Sequence, residues 1–586
     1  FDAMAKSDRG KPLVPKGQPV DLIVTVTDFV GFAQHLTLNS PSSVTETEHR
    51  LTLNFRHDGG VGGNLADVES LVVAARATAS FPGAFPPFTL REFDAELAAR
   101  GREWPGRAAF VTRQLMPGSD QNNADDRVLI DGSVLANAPF KPAIAVLKQR
   151  PARREVDRRF VYIDPKPEYR TFSFGRPTTD GRRAGPGFFA TILGALSELP
   201  RSQPIRDNID ALSGMSMRIR RMRHIVDAMQ TEVEDDVTAL FGRTFFLDQP
   251  TPARLAGWSK KAQVAAAARA GYAHAAYGHL KLSQIVEDLA ATAARLHGAM
   301  DDAARETWRT TLWTEARARG LDRIGAAKGK GTSAHVIAFF RAHDLSYRIR
   351  RLRFLARQLD TAIEAHLTEG DPAVDALHET IFAALGLFFE REPDAFLHAN
   401  AGGAIPVDAG AFIDWVGRAR DLIALDTLVE RRLAAALAAL PRAHRRIMLL
   451  AFLGFPFYDV ATLPLLEGEG HDEYDPIKVD RISPSDAVAI RHGGARETLK
   501  GTQFNAFGAF FSRAYRENDY LWGRLHGADR LADIVASAIG GGAMLPPAEL
   551  MAIKNRLFHA ILDEEAARLP HVAPLIAQLR VEIGRR

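Results

Sequence analysis

Two short segments of the chain hold the residue types from which chemistry could be built. LIDGSVLANAPF, from Leu129 to Phe140, puts Asp131 at the end of a short apolar run and follows it with Gly132. The glycine permits a tight turn and a close approach of main chain to a ligand. A carboxylate presented at a strand end can act as a general base, taking a proton from a nearby hydroxyl once desolvation and hydrogen bonding have tuned it. Taken alone, an Asp-Gly step after a strand is more often only a turn. The second segment, ATASFPGAFPPF from Ala77 to Phe88, lies upstream at a separation expected within one domain.

A base needs a nucleophile to act on, and the sequence offers no standard one. Cysteine is absent, which excludes a thiolate nucleophile, disulfides and thiolate-metal sites. No Gly-x-Ser-x-Gly occurs anywhere in the 586 residues, so the strained elbow that exposes a catalytic serine is missing. DGGVGGN, from Asp58 to Asn64, is rich in glycine but follows an expected middle strand and reads as a loop. GAAKGKGTS, from Gly325, fails as a phosphate-binding loop because Gly331 rather than Ser or Thr follows Lys330. No His-Glu-x-x-His is present, and His35, His49 and His57 lack helical ligand spacing. No metal or organic cofactor is implied.

The elements that must position Asp131 are those of an α/β domain. DLIVTVTDF, from Asp21 to Phe29, is apolar or β-branched at nearly every position, as a strand buried on both faces tends to be. HLTLNS from His35 and HRLTLNF from His49 alternate and read as strands with one exposed face. A helix is expected over 64–79 with Asn64 as its N-cap, and another over 139–149. RVLIDG and RRFVYIDP, ending at Gly132 and Pro165, read as short buried strands around the latter helix. Such alternation predicts a partly parallel sheet up to about Pro167.

These two segments, in this order, resemble the later signature blocks of patatin-like phospholipases, and the resemblance covers about Asp21 to Pro167. It places the aspartate of the family's Ser-Asp dyad on Asp131, beside Gly132, with Asn137 and Pro139 in the following Asn-x-Pro. Ser80, Pro82 and Pro87 fall in matching positions of the substrate-side segment. Ser133 stands where the family more often has glycine or alanine. The family's glycine-rich oxyanion loop and serine elbow are not found. With Phe1 at its start and no signal-like pattern from Phe1 to Pro19, the chain is expected to be an N-terminally truncated piece.

After Glu168 strand patterns become rare, and Ala, Leu and Arg recur at helical spacing. TFSFGRPTTDGRRAGPG, over 171–187, reads as the connecting loop, and 464–485 as a loop break within the helical region. MRIRRMRHI from Met217 recurs as YRIRRLRFL from Tyr347. Both are amphipathic, and both are read as core helices whose arginines face water or pair with acids, in preference to basic helices lying on anionic lipid. The segment from Phe504 to Leu531 is similar to a motif near the end of long bacterial patatin-related proteins. Its cluster of Asn518, Asp519, Trp522 and Arg524 is read as a buried helix junction rather than a recognition site.

The balance of 74 basic and 71 acidic residues, a net charge of +3, argues against nucleic acid as a partner. The longest apolar run, Ile447 to Tyr458, is broken by Pro456 and is shorter than the ~20 residues of a spanning helix. The expected architecture is therefore the C-terminal portion of a patatin-like α/β domain over 1–168, then a large mainly α-helical region over 169–586. The resemblance implies a serine lipid acyl hydrolase of phospholipase A type. Its substrate would be a phospholipid or related acyl ester, and its place the bacterial cytoplasm with peripheral membrane contact. The chain alone is expected to be inactive. The alternative is a non-catalytic membrane-associating or regulatory helical module; the oligomeric state is left open.

Overall fold

The computed structural model describes residues 19–37, 40, 43–57, 64–82, 85–115, 125, 127–136, 140–148, 157–164, 199–298, 302–324, 332–366, 371–400, 402–465, 477–502, 508–539 and 545–584. Asn137, Pro139, the glycine-rich stretches 58–63 and 325–331, and the connecting stretch 171–187 lie outside the described residues. The chain clusters into two compact units, Phe1–Arg150 with Glu168–Ser213, and Pro151–Pro167 with Gly214–Arg586.

In the first unit, β1 (Val20–Thr37) pairs antiparallel with β2 (Ser43–His57), from Val20↔His57 to Thr37↔Ser43. β3 (Leu129–Asp131) lies antiparallel on the other side of β1, giving the order β2-β1-β3. The parallel pairing expected here is not present among the described residues of this sheet; the connection between β1 and β2 is too short for the crossover a parallel pair needs. The first residues of HLTLNS are not a separate strand either: His35–Thr37 are the end of β1, which continues after a register shift between Thr27 and Phe32. Asp28 Oδ1 holds that bulge by accepting from the N–H groups of Val30 and Gly31, at 3.1 and 3.2 Å. Gly31 has φ +80°, and a Cβ there would meet Thr47 Cγ2 at 2.5 Å, so the position requires glycine.

Leu51, Leu53 and Phe55 are buried, as the alternation in β2 predicts. Burial of β1 on both faces holds only from Val26 to Asp28; Leu22 is exposed, because the sheet is small and helices cover one face. That cover is α1 (Val68–Thr78) and α2 (Leu90–Ala99), whose Val73, Ala77 and Phe93 pack with Val26, Leu53 and Leu129. α1 begins at Asp67 rather than Asn64, since Asp67 Oδ1 accepts from Ser70 N at 2.6 Å and from Trp104 Nε1 at 3.2 Å. α3 (Phe140–Lys148) follows β3 where the helical pattern places it.

The second unit contains the strand read with the first domain. β4 (Arg159–Ile163) pairs in parallel with β5 (Lys478–Ile482), from Arg159↔Lys478 to Ile163↔Ile482. This corrects one expectation, since Lys478–Ile482, within the stretch read as a loop break, is a strand. Parallel strands need a long crossover, and the helical region supplies it. Arg159 donates to Asp480 at 3.1 Å and Lys478 to Asp157 at 3.0 Å, closing the pair with charge.

The principal helices between and after these strands are α4 (Leu199–Phe241), α5 (Pro252–Ala270), α6 (Ala273–Leu296), α7 (Asp302–Ala318), α8 (Ala334–His343), α9 (Leu345–His366), α10 (Pro372–Phe389), α11 (Ala409–Arg420), α12 (Leu422–Ala439), α13 (Arg442–Thr462), α14 (Arg513–Ala536), α15 (Pro547–Glu565) and α16 (Ala573–Gly584). One core joins α4, α5, α9, α10, α12 and α13; a second joins α6, α7, α8 and α11; a third joins α14, α15 and α16. Pro372–Phe389 and Arg442–Leu465 are long and apolar enough to cross a membrane by length and composition. Both supply residues to the first core, and every residue from Met448 to Asp459 is buried.

The repeated arginine segments differ in burial. On α4, Arg220 and Arg221 are exposed. On α9, Arg348, Arg350, Arg351 and Arg353 are all buried. Arg348 pairs with Asp426 at 2.6 Å, while Arg350 donates to Asp459 at 2.8 and 3.1 Å. Arg351 lies over the Phe452 ring and donates to Ser259 Oγ at 3.3 Å. A buried guanidinium is tolerated only with such partners, so α9 is a core helix that pairs its arginines and cannot lie on lipid.

Candidate active site

Asp131 is the last residue of β3 and pairs with Val26 of β1. Its main chain is held on both sides, the N–H donating to Ser80 O at 3.1 Å and the carbonyl accepting from Thr27 Oγ1 at 3.2 Å. A single 3₁₀ turn, Gly132–Val134, follows, and Asp131 Oδ1 accepts from Ser133 N at 2.7 Å. This fixes the carboxylate's orientation. Asp131 is half-buried, and its Oδ2 takes no hydrogen bond from a described residue. Such an oxygen can accept a proton from a hydroxyl brought to it.

The two segments singled out in the sequence meet here. Phe88 and Leu129 exchange both main-chain hydrogen bonds at 2.8 Å, and Ser80 reaches Asp131 as described. Ser80 is fully buried; its Oγ donates to Arg76 O at 2.8 Å and accepts from the Arg76 guanidinium. Its carbonyl brackets the strand end and its hydroxyl is engaged by Arg76. Pro82 sits exposed in the turn after it. Gly132 is needed for a different close approach from the one expected: a Cβ there would fall 2.1 Å from Thr25 O, so the neighbour is the β1 main chain.

Several residues beside the site carried a weaker signal. Asp28, in a strand otherwise apolar or hydroxylic, is fully buried and paired with buried Arg127, whose guanidinium lies over the Phe32 ring at 5.4 Å. An acid inside an apolar run is itself the clue to a buried partner, but its partner's position is not legible locally. Thr25 and Thr78 lock β1 to α1, Thr78 Oγ1 donating to Thr25 O at 2.8 Å. Among the described residues no group of three His, Asp or Glu side chains could hold a metal ion.

Residues 9–144, which include Asp131 and its bracket, match the family model of patatin-like phospholipases. The chain carries a patatin-like phospholipase domain. This domain lies at its N-terminal end, with mixed strands and helices, and a large helical region follows. Residues 416–538 match a second model, described as a protein of unknown function (DUF3376). No curated protein and no solved structure matched the chain. The family that residues 9–144 match is one of lipid hydrolases at the general level.

The second match contains the C-terminal cluster. Asn518 Nδ2 donates to Thr498 O at 2.8 Å, and Asp519 accepts from the N–H groups of Lys500 and Gly501, each at 2.7 Å. Trp522 is buried under Arg491, and Arg524 pairs with Glu564 and Glu565. These partners form a helix junction, as the sequence reading favours. Phe511, at the start of the same segment's described helices, is exposed.

Proposed function

We propose that the patatin-like domain contributes the base of a Ser-Asp acyl hydrolase site, with Asp131 in that role. The observation that carries this reading is a half-buried carboxylate at a strand end, main chain held on both sides, one oxygen tethered and the other open. In the reaction, a serine hydroxyl attacks the ester carbonyl of a phospholipid or related lipid while Asp131 Oδ2 takes its proton. Water then hydrolyses the acyl-enzyme with the same carboxylate assisting. No Gly-x-Ser-x-Gly elbow occurs among these residues, so on this reading the nucleophile and its oxyanion donors are supplied from outside them. Without them the main transition-state stabilisation is missing.

The reading predicts no hydrolysis above background by this chain with short-chain nitrophenyl esters or phospholipid vesicles. A protein extended by the preceding coding sequence should release acyl chains, and Asp131→Asn should lower that rate about a hundredfold or more. Activity of this chain alone, or an extended Asp131→Asn protein at full rate, overturns it.

A further inference from the structure

Helix α4 presents an exposed stripe with no occupant among the described residues. Met217, Arg221, His224, Ala228, Thr231 and Asp235 are all exposed and recur at alternating steps of four and three, the 3.5-residue spacing of a two-helix seam. Glu232 stands beside Thr231 on the same face and is also exposed. Among the described residues Arg221, His224, Glu232 and Asp235 make no side-chain hydrogen bond or ion pair, whereas Asp236, off the stripe, pairs with Arg269 at 3.3 Å.

The stripe's charges are arranged about one residue. Arg221 and Asp235 each lie seven positions from Ala228, and His224 and Glu232 each lie four. The basic half therefore precedes Ala228 and the acidic half follows it. A second copy laid antiparallel over Ala228 sets Arg221 against Asp235 and His224 against Glu232, twice, about a two-fold axis. That is the reciprocity an isologous interface requires. The methyl side chain at the axis lets the two helices approach to about 8 Å. A parallel arrangement would set like charges together, and an anionic lipid surface would meet the acidic half.

The repeated segment supports the same use of this face. On α9 the matching positions are Tyr347, Arg351 and Phe354, and there the face is occupied. Tyr347 packs on Phe455, Phe354 on Phe455 and Tyr458, and Arg351 on Phe452, all of α13. What α13 does for α9, nothing among the described residues does for α4.

We propose that the chain self-associates through an antiparallel pairing of α4 helices centred on Ala228. Exposed ion pairs are individually weak and screened by salt, so the association is a salt-sensitive one. The test is sedimentation velocity on the full chain, across a concentration series, in about 50 mM and about 500 mM salt. The expected result is a species of twice the chain mass at low salt that dissociates at high salt. Arg221→Glu or Asp235→Arg alone weakens it about tenfold or more. Mixing the two single variants restores the dimer, since the introduced carboxylate of one copy then faces the introduced guanidinium of the other, while the native Asp235 and Arg221 still face each other. The double variant restores it too, with both pairs reversed in sign. A monomer at low salt, a dimer indifferent to either reversal, or a mixture that fails to associate overturns the proposal.

Discussion

Replacing Gly132 by alanine should loosen the strand end that carries Asp131. The added Cβ would lie 2.1 Å from the carbonyl oxygen and 2.3 Å from the carbonyl carbon of Thr25, far inside the ~3.5 Å at which non-bonded atoms rest. A third atom, Thr25 Oγ1 at 2.5 Å, can rotate away, but the carbonyl atoms are main chain, so no rotamer change relieves them and β1 must move from β3 by more than an ångström. Overpacking of this kind costs about 1–3 kcal/mol. The same displacement strains the bonds from Thr78 Oγ1 to Thr25 O and from Thr27 Oγ1 to Asp131 O, each worth about 1 kcal/mol. The expected local loss is about 2–4 kcal/mol. Amide hydrogen exchange followed by mass spectrometry reads it directly, because a tenfold change in opening corresponds to ~1.4 kcal/mol. Peptides covering Val20–Thr37 and Leu129–Asp131 should exchange roughly thirty- to several-hundred-fold faster, while those from α9 and α13 are unchanged. Gly523→Ala on α14, where a Cβ meets nothing within 4 Å, is the control and should stabilise its helix by about 0.5–1 kcal/mol. Unchanged protection in β1 and β3 of the Gly132→Ala protein would refute the argument.

Asp459→Asn should destabilise the second unit by about 3–5 kcal/mol, because it leaves buried Arg350 without its counter-charge and disturbs the Tyr277 hydroxyl bonded to Asp459 at 2.5 Å; a loss under 1 kcal/mol in urea unfolding would count against it. The buried His343 imidazole is held down to about 3 by burial and then by Arg420. Its stabilising contribution is therefore whole above the unfolded value near 6.5 and is lost as pH falls from there toward about 3. Between pH 7 and pH 5 that is about 2 kcal/mol, and His343→Gln should remove this part of the acid slope in paired urea titrations. His526, lowered to about 4 by burial, acts in the same direction and preserves part of the slope in that variant.

What could be read from the sequence was what local chemistry dictates. The Asp-Gly step after an apolar run, the second segment upstream of it and the patatin-like character they share are all contained in short windows. So are the alternation of β2, the helix after β3 and the helical nature of most of the remaining chain. The cap at Asp67 instead of Asn64 shows the limit even there, because a distant indole, Trp104, shares the same carboxylate. Tertiary structure alone decided the rest. β4 leaves the first unit for β5 because strand pairing depends on which edges meet in space, and no window contains both. The clearest case is the repeat. Two similar arginine segments end in different environments, since burial of a guanidinium depends on acids and rings brought by other helices. Asp426, Asp459 and Phe452 reach α9; the described residues of the same chain leave the matching face of α4 exposed, and nothing within either segment states which will happen.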